Sequence, residues 1–541
     1  MNNARMRIVG NRARAGALTE TDQEQPTARD DRDKVLVGLL LTMALAAVDS
    51  TIVATAVPSI VSDLGGFSLF AWVFSIYVLA QAVTIPVYGK LADLYGRKPI
   101  LIIGILIFLA GSVLSGLAWS MVALIAFRGL QGLGAGAISP IVSTIAGDLY
   151  SVKERARVQG WLSSVWGIAG VTGPAIGGFF AAYATWRWIF YINLPIGALA
   201  LYMITANFHE DVTRRSHKID FAGAILIAAG AGLFIFGTLE GGVRWAWTSL
   251  PSLSVFAAAA IATALAIWQE RRAIEPMLPL WIIRRRLLMG ANLTTASIGL
   301  LSIGLTTFLP TYAQGVLGVG AVTAGFILSA MSVSWPISSS ISGRVYLRIG
   351  FRDSALIGAA ICLLSCIVFI ALPESVPIWL PAVGSFIMGA GLGFLSTPMI
   401  VGIQSVVGWN RRGVVTGANM FARQLGQALG AAVYGSIANV VLVNWLRSAP
   451  SSIAGEVPTD ANAASDVLGG GSSLSAAAEE YIRQGLYLAT HRVFWGLAVV
   501  AVFCLIVLIL TPRQWEPLRF DGEELGTSAT LPPREEVRVP E

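Results

Sequence analysis

The 541-residue sequence predicts an all-α membrane protein of fourteen transmembrane helices, grouped six, two and six. Three observations carry that expectation. Hydrophobic residues make up 55% of the chain and charged residues only 13%, about half the charged share of an ordinary soluble domain. Fourteen apolar runs approach or exceed the length of about 20 residues that crosses a bilayer. Two of these runs, with their loops, are echoed eight runs later. In lipid every backbone N–H and C=O needs a partner inside the segment, so such runs must be helices.

Residues 1–34 are polar and basic and read as a cytoplasmic tail without fixed structure. The first run, 35–57, is longer than the apolar core of a signal peptide and lacks a clear small-residue cleavage site, so it reads as a retained helix. Runs at 69–88, 99–118, 121–146, 158–183 and 188–208 complete a first bundle, 35–208. Runs at 220–240 and 251–269 form a separate pair within 209–287. Runs at 288–312, 321–342, 353–372, 377–406, 413–443 and 491–511 form a second bundle, 288–511. The segment 445–490, with "DVLGGGSSLSAAAEE", reads as a long external linker, because Ala, Gly and Ser bury little apolar surface. Residues 512–541 are charged and contain proline, and read as a second cytoplasmic tail.

An even number of crossings puts both termini on one side, and the basic residues choose it. Thirty of the 37 lysines and arginines fall on the side of the termini, five on the other, and two, Arg128 and Arg423, inside apolar runs. That bias places the termini in the cytoplasm and the protein in the cell membrane. It also accounts for the net charge of +6 without nucleic acid, since the basic residues lie in short loop clusters. Cys362, Cys366 and Cys504 read as small apolar packing residues. His209, His217 and His491 fall at or beyond helix ends, so no metal site is expected.

The repeat is visible in the loops. "GKLADLYGRK", Gly89 to Lys98, follows the second run and "GRVYLRIGFR", Gly343 to Arg352, the tenth. Each has a glycine, a basic residue and a second glycine seven positions on. Gly160, Gly173 and Gly178 of the fifth run match Gly417, Gly430 and Gly435 of the thirteenth. An offset of eight, where a six-helix repeat gives six, means two helices inserted between the halves. Repeated halves with a midplane site between them are the usual build of secondary transporters.

Four motifs then resemble the major facilitator superfamily and, within it, the fourteen-helix drug/proton antiporters. "GKLADLYGRK" resembles the family's signature between helices two and three. "LIAFRGLQGLGAG", Leu124 to Gly136, resembles its helix-four motif with an intramembrane Arg. "GVTGPAIGG", Gly170 to Gly178, is similar to the antiporter signature of helix five, and "DSTIVATAVP", Asp49 to Pro58, to the acidic motif of helix one. The resemblance covers about residues 35–511. It implies export of lipophilic, cationic or neutral, drug-like compounds in exchange for protons by a monomer without cofactor, and a periplasmic adaptor only where a cell has an outer membrane. The tenth run carries no acid, so export of dications is not expected.

The residues suggest roles. Asp49 lies about 12 Å from the outer end of its run and Arg128 about 10 Å from the outer end of its own, at 1.5 Å per residue. Helices one and four are neighbours in the family fold, so the two can pair, offsetting the cost of intramembrane charge and leaving Asp49 to carry a proton. With a single acid, exchange of one proton for one monovalent cation is electroneutral. Gly89, Asp93, Gly96, Arg97 and Lys98 suit a cytoplasmic latch, with glycines for a tight turn and Asp93 for backbone donors at a helix N-terminus. The second copy has Leu347 where Asp93 stands. Gly170, Gly173, Pro174, Gly177 and Gly178 suit a gate on helix five, the proline bending the helix and the glycines admitting a neighbour. Tyr77, Gln81, Gln131, Trp166, Gln314, Trp335 and Gln404 are candidates for a mostly apolar substrate cavity, with Asn419 and Arg423 on one face of the thirteenth run. For Arg423, bracing by backbone carbonyls is preferred to substrate contact, as the second half offers it no acid.

A specific carrier for one endogenous metabolite or siderophore fits the same scaffold. A membrane enzyme fits poorly: no cluster of titratable residues and no phosphate-binding loop of the G-x-x-x-x-G-K-[ST] type is present. The charge count predicts that single cysteines at Leu280 and Gly470 face the cytoplasm and the outside respectively. An impermeant thiol reagent on intact cells should label position 470 and spare 280, and the reverse pattern would invert the topology.

Overall fold

A computed structural model describes residues 26–53, 57–65, 71–210, 220–241, 245–273, 276–457 and 475–518. Among them, fourteen helices of 15 or more residues follow the fourteen runs in order. They are α1 (Pro26–Ile52), α2 (Ala71–Tyr95), α3 (Arg97–Gly116), α4 (Met121–Leu149), α5 (Val152–Tyr183), α6 (Asn193–Asn207), α7 (Phe221–Glu240), α8 (Leu250–Glu270), α9 (Arg286–Gly315), α10 (Ala321–Ile349), α11 (Phe351–Ile370), α12 (Trp379–Ser405), α13 (Arg412–Arg447) and α14 (Ala476–Leu510). Eleven of them, and α6 together with the short helix Trp188–Tyr191 that leads into it, are long and apolar enough over their described residues to cross a membrane; α5 and α7 are not among these.

Two apolar cores organise the helices. Leu39, Phe108, Ile138, Ile141 and Leu162 belong to one, packing α1, α3, α4 and α5 together. Ile298, Leu301, Met388, Leu392 and Phe494 belong to the other, packing α9, α12 and α14. The inserted pair is not a bystander. Ile235 of α7 packs on Leu79 and Ala82 of α2 and on Leu425 and Ala428 of α13, so α7 lies over the seam between the halves.

The internal repeat holds in backbone geometry. Gly96 has φ 96° and ψ 154°, and Gly350 φ 93° and ψ 164°. Both lie in a region that only glycine adopts without strain. Seven residues upstream, a Cβ on Gly89 would stand 2.6 Å from the Gly413 carbonyl of α13, and one on Gly343 would collide with Ala156 of α5. The same loop thus presses α2 onto α13 in one seam and α10 onto α5 in the other.

Three boundaries differ from the sequence expectation. Residues 26–34 are the first turns of α1 and not part of a tail, and α1 ends at Ile52, not 57. The polar turns are held by tertiary partners: Arg32 pairs with Glu154 at 3.2 Å, and the Tyr150 hydroxyl donates to the Arg32 carbonyl at 3.1 Å. The segment expected to be an external linker is shorter than 445–490, because α13 runs to Arg447 and α14 begins at Ala476. Here "AAAEEYIRQGLYLAT" is a run of good helix formers, and Tyr481 stacks on Trp445 with ring centroids 5.0 Å apart. Most of "DVLGGGSSLSAAAEE" lies outside the described residues. Finally, residues 512–518 are not a free tail: Trp515 packs on Phe351, Arg513 donates to Asp353 at 2.9 Å, and Leu518 N–H donates to the Val406 carbonyl at 2.8 Å.

Gly350→Ala should cost about 1–3 kcal/mol through backbone strain, whereas Gly435→Ala, where no atom lies within 4 Å of the added Cβ, should not. Thermal unfolding in detergent reads the difference. Equal midpoints for the two variants would mean that the Gly350 turn relaxes freely.

Candidate functional site

Asp49 and Arg128 meet. The Arg128 guanidinium donates to Asp49 Oδ2 at 2.6 Å, and both residues are fully buried. Asp49 Oδ1 accepts from the Gln131 amide at 2.8 Å and from the Asn193 amide at 3.2 Å. Arg128 also donates to Gln131 Oε1 at 2.7 Å and to the Val73 carbonyl at 3.3 Å, and its guanidinium lies 4.1 Å from the centre of the Tyr77 ring. Ser112 accepts from Gln131 at 3.2 Å and from Asn193 at 3.0 Å, and passes its own proton to the Phe190 carbonyl at 2.8 Å. Residues of α1, α2, α3, α4 and α6 thus close around one ion pair. Ser112 and Asn193 are absent from the sequence expectation, and Gln131 and Tyr77 serve this cluster. Gln131 was visible in part: it lies three residues after Arg128, on the same face of α4.

The latch residues form a second cluster at the end of the bundle that carries loop 89–98, here the latch end. Asp93, at the end of α2, accepts from the Gly413 and Val414 N–H groups at 2.8 and 2.7 Å. These first-turn donors of α13 have no partner within their own helix, and the N-cap residue Arg411 caps none of them with its side chain. A helix of the second half is therefore capped by an acid of the first. Arg97, fully buried, donates to Asp93 at 3.1 Å, lies 3.1 Å from Asp148, donates to the Trp409 carbonyl and stacks on the Trp409 ring at 3.5 Å. Asp148 takes Arg412 at 2.8 Å, which closes a chain of alternating charge across both halves. Glu210 accepts from the Arg97 and Lys98 N–H groups at 3.0 and 2.9 Å and so caps α3, while the Lys98 ammonium donates to the Thr205 carbonyl at 2.9 Å. Asp148 carried a legible signal: an acid in the last turn of a helix opposes the helix dipole and needs a cation nearby.

The second copy works differently. With Leu347 in place of Asp93, α5 caps itself: Glu154 reaches back to the Ser151 N–H at 2.9 Å. The Tyr346 hydroxyl then donates to the Val152 carbonyl at 2.6 Å.

Glycines report which end is shut. Gly417 of α13 and Gly343 of α10 are jammed against α2 and α5 near the latch end. Gly435 and Gly325 lie eighteen residues away, five full turns along the same faces, and have no atom within 4 Å. At these positions the halves are in contact near the latch end and leave open space five turns away, though Gly167 of α5 still abuts Ser332 of α10 in between. Of the helix-five motif, Gly173 abuts Thr51 of α1, and Gly170 meets open space. α5 continues through Pro174, whose side chain, like the surroundings of Gly178, lies outside the described residues. Gly177 lies on the same stretch of helix.

The other expected cavity residues separate. Trp335, Asn419 and Arg423 line a cavity of about 90 Å³ between the halves, with Gln159, Ser163 and Ser396, which the sequence reading did not single out. Gln404 instead donates to the Ser143 carbonyl at 3.1 Å and to Thr416 at 3.0 Å, joining α12 to α4 and α13. Gln81 is buried on α2, Trp166 packs against the first core and Gln314 lies at the end of α9. Arg423 is not braced by carbonyls: among the described residues its side chain has no hydrogen bond or ion pair. Trp186 is buried, and Trp186 and Arg187 donate to Asp63 at 3.0 and 2.6 Å. These bonds hold the Asp63 carboxyl below its ordinary range and fix "WRW" as an anchor for the helix Val57–Leu64.

Asp93→Asn keeps one acceptor oxygen and loses the other together with the charge that pairs with Arg97. Transport should fall at least tenfold at normal membrane abundance, since one first-turn donor of α13 loses its partner and Arg97 keeps Asp148 but loses the charge of Asp93. Undiminished uptake or efflux in membrane vesicles would reduce the motif to a topology signal.

Residues 39–431 match the family model described as Major Facilitator Superfamily. The chain is 36% identical over 428 residues, 79% of this chain and 83% of the relative, to Multidrug resistance protein 3 of Bacillus subtilis. It is 32% identical over 504 residues, 89% of this chain and 93% of the relative, to the Multidrug transporter protein MdtP of the same organism. Among solved structures, the human organic anion transporter MFSD10 superposes with a TM-score of 0.58 at 14% identity, over 90% of this chain and 100% of that one. A bacterial homologue of the iron transporter ferroportin does so at 0.57 and 13%, over 88% and 99%; at such identities the likeness concerns the fold alone. With two helical bundles, a repeated glycine loop and a match over most of its length, the chain belongs to the major facilitator superfamily, among transporters of the multidrug efflux type.

Proposed function

We propose that this multi-pass membrane protein is a proton-coupled antiporter that exports lipophilic, drug-like compounds across the cell membrane by alternating access. It works as a monomer with fourteen crossings and both termini in the cytoplasm, and needs no cofactor beyond a proton gradient. The single observation behind the coupling is the sealed Asp49–Arg128 pair. Both Asp49 oxygens are occupied by three donors, and the residue has no exposure. A proton can reach Asp49 only if one of those bonds breaks and the helices around it shift.

Two continuous helices, each with a proline between the two clusters (Pro86 in α2 and Pro140 in α4), give such a shift somewhere to go. α4 carries Arg128 and Gln131 in one cluster and Asp148 in the other. α2 carries Val73 and Tyr77 beside Arg128, and Asp93 at the latch. A helix transmits displacement along its length, so loosening α1 from α4 alters the seam that Asp93 holds. The cycle then has two arrangements: a charged pair with the latch closed, and a protonated Asp49 with the latch free to open. The names of the B. subtilis relatives support efflux of drugs as the purpose of the cycle.

Asp49→Asn should reduce pH-gradient-driven export of a fluorescent lipophilic probe from liposomes by at least tenfold while the protein remains folded. Export that still follows the pH gradient in Asp49→Asn would show that another group carries the proton, and would leave the pair with Arg128 as a brace.

A further inference from the structure

The cavity between the halves contains a cation and no acid. Arg423 projects from α13 into it, about 16 Å along the helix from Arg412 at 1.5 Å per residue. No carboxylate is among the residues that line it. The other intramembrane arginine, Arg128, has a carboxylate, an amide oxygen, a carbonyl and an aromatic ring; Arg423 has none of these among the described residues. Asn419, which lines the same cavity, donates instead to Asn292 at 3.1 Å and Thr295 at 2.9 Å. The Trp335 indole is likewise spent on Ser396 at 3.1 Å. Among the described residues, Gln159 and Ser163, on the facing wall of α5, make no hydrogen bond through their side chains.

We propose that Arg423 is the anchor for an acidic group on the cargo, so that the preferred substrates are lipophilic monoanions, carboxylates above all. The guanidinium offers two parallel N–H donors to the two oxygens of a carboxylate, and in a water-poor site that pairing is strong. Gln159 and Ser163 are placed to donate from the opposite helix. A cavity of about 90 Å³ holds some three waters, which is the size of a carboxylate head group. Ile400 and Met420, on the same wall, offer apolar surface to the part of the cargo next to it. This departs from the cationic or neutral cargo that the family resemblance implies. It rests on the reading of the chain as an exporter, and it changes the electrical balance. Sending one monoanion out while one proton comes in moves two positive charges inward, so the exchange draws on the membrane potential as well as the pH gradient.

The test uses the full-length protein in detergent and two probes of one shape, N-dansylphenylalanine and its neutral methyl ester. Wild type should bind the acid at least tenfold more tightly than the ester. R423Q should lose that preference, with a thermal unfolding midpoint equal to wild type as the control for folding, and R423K should keep the preference. In liposomes, a potential negative on the cytoplasmic face should speed export of the acid and leave export of the ester less affected. Equal binding of acid and ester by wild type, or an undiminished acid preference in R423Q, would overturn the proposal. Export of the ester alone would overturn it and leave the exporter reading standing. Arg423-dependent binding of the acid without gradient-driven movement of either probe would confirm the site and overturn the exporter reading.

Discussion

A charge or a free backbone N–H cannot stand alone in hydrocarbon, and most of this structure follows from that constraint. An intramembrane Asp or Arg costs about 2.5–3.5 kcal/mol on insertion scales, and removing one partner of a buried pair about 3–5 kcal/mol. Asp49 and Arg128 therefore find each other, and Gln131, Asn193 and Ser112 take up what the pair leaves over. The first turn of α13 faces the same problem with its N–H groups, and Asp93 of the other half solves it. Each cluster is stable only while particular helices touch. In the proposed cycle that makes them the switch elements, since breaking the contact exposes a deficit that protonation, water or a new partner must cover.

The two halves share a backbone plan but not an electrostatic one. Gly96 and Gly350 make the same turn, and Gly89 and Gly343 make the same close approach. Yet only the first seam depends on a carboxylate. Where Leu347 replaces Asp93, α5 carries its own capping pair in Ser151 and Glu154, so its first turn needs nothing from α10. Separation at the latch end thus uncaps α13 and leaves α5 satisfied. α7, seated on α2 and α13, lies over the seam that the Asp93 cap closes.

Much of this was legible in the chain. The helix positions followed from apolar length, because lipid leaves no alternative to a helix. The Asp49–Arg128 pair followed from depth, two opposite charges at similar distance from the same face. The latch followed from an Asp that topology alone does not require. The partners were harder to read. Asn193 and Ser112 look like ordinary polar residues in their own helices, and only the packing of α3, α4 and α6 brings them to one carboxylate. Trp409 and Glu210 lie far in sequence from the Arg97 region they cover. The helical start of α14 was hidden by Ala- and Ser-rich composition, which reads as linker until Tyr481 finds Trp445. Gln404 was misplaced for a general reason: a buried amide between helices and a cavity-lining amide have the same sequence signature.

The central claim is that the state of Asp49 sets the state of the latch, through α2 and α4. Spin labels at Lys153 and Leu347, exposed residues that face one groove from opposite halves, measure it directly. The native cysteines Cys362, Cys366 and Cys504 are fully buried and leave the two introduced sites as the accessible ones. Pulsed electron–electron distances in the Asp49→Asn protein, which mimics the protonated carboxyl, should move from the short population of the closed latch toward a longer one. A distribution identical to that of the unsubstituted protein, under conditions where Asp93→Asn does lengthen the distance, would contradict the coupling.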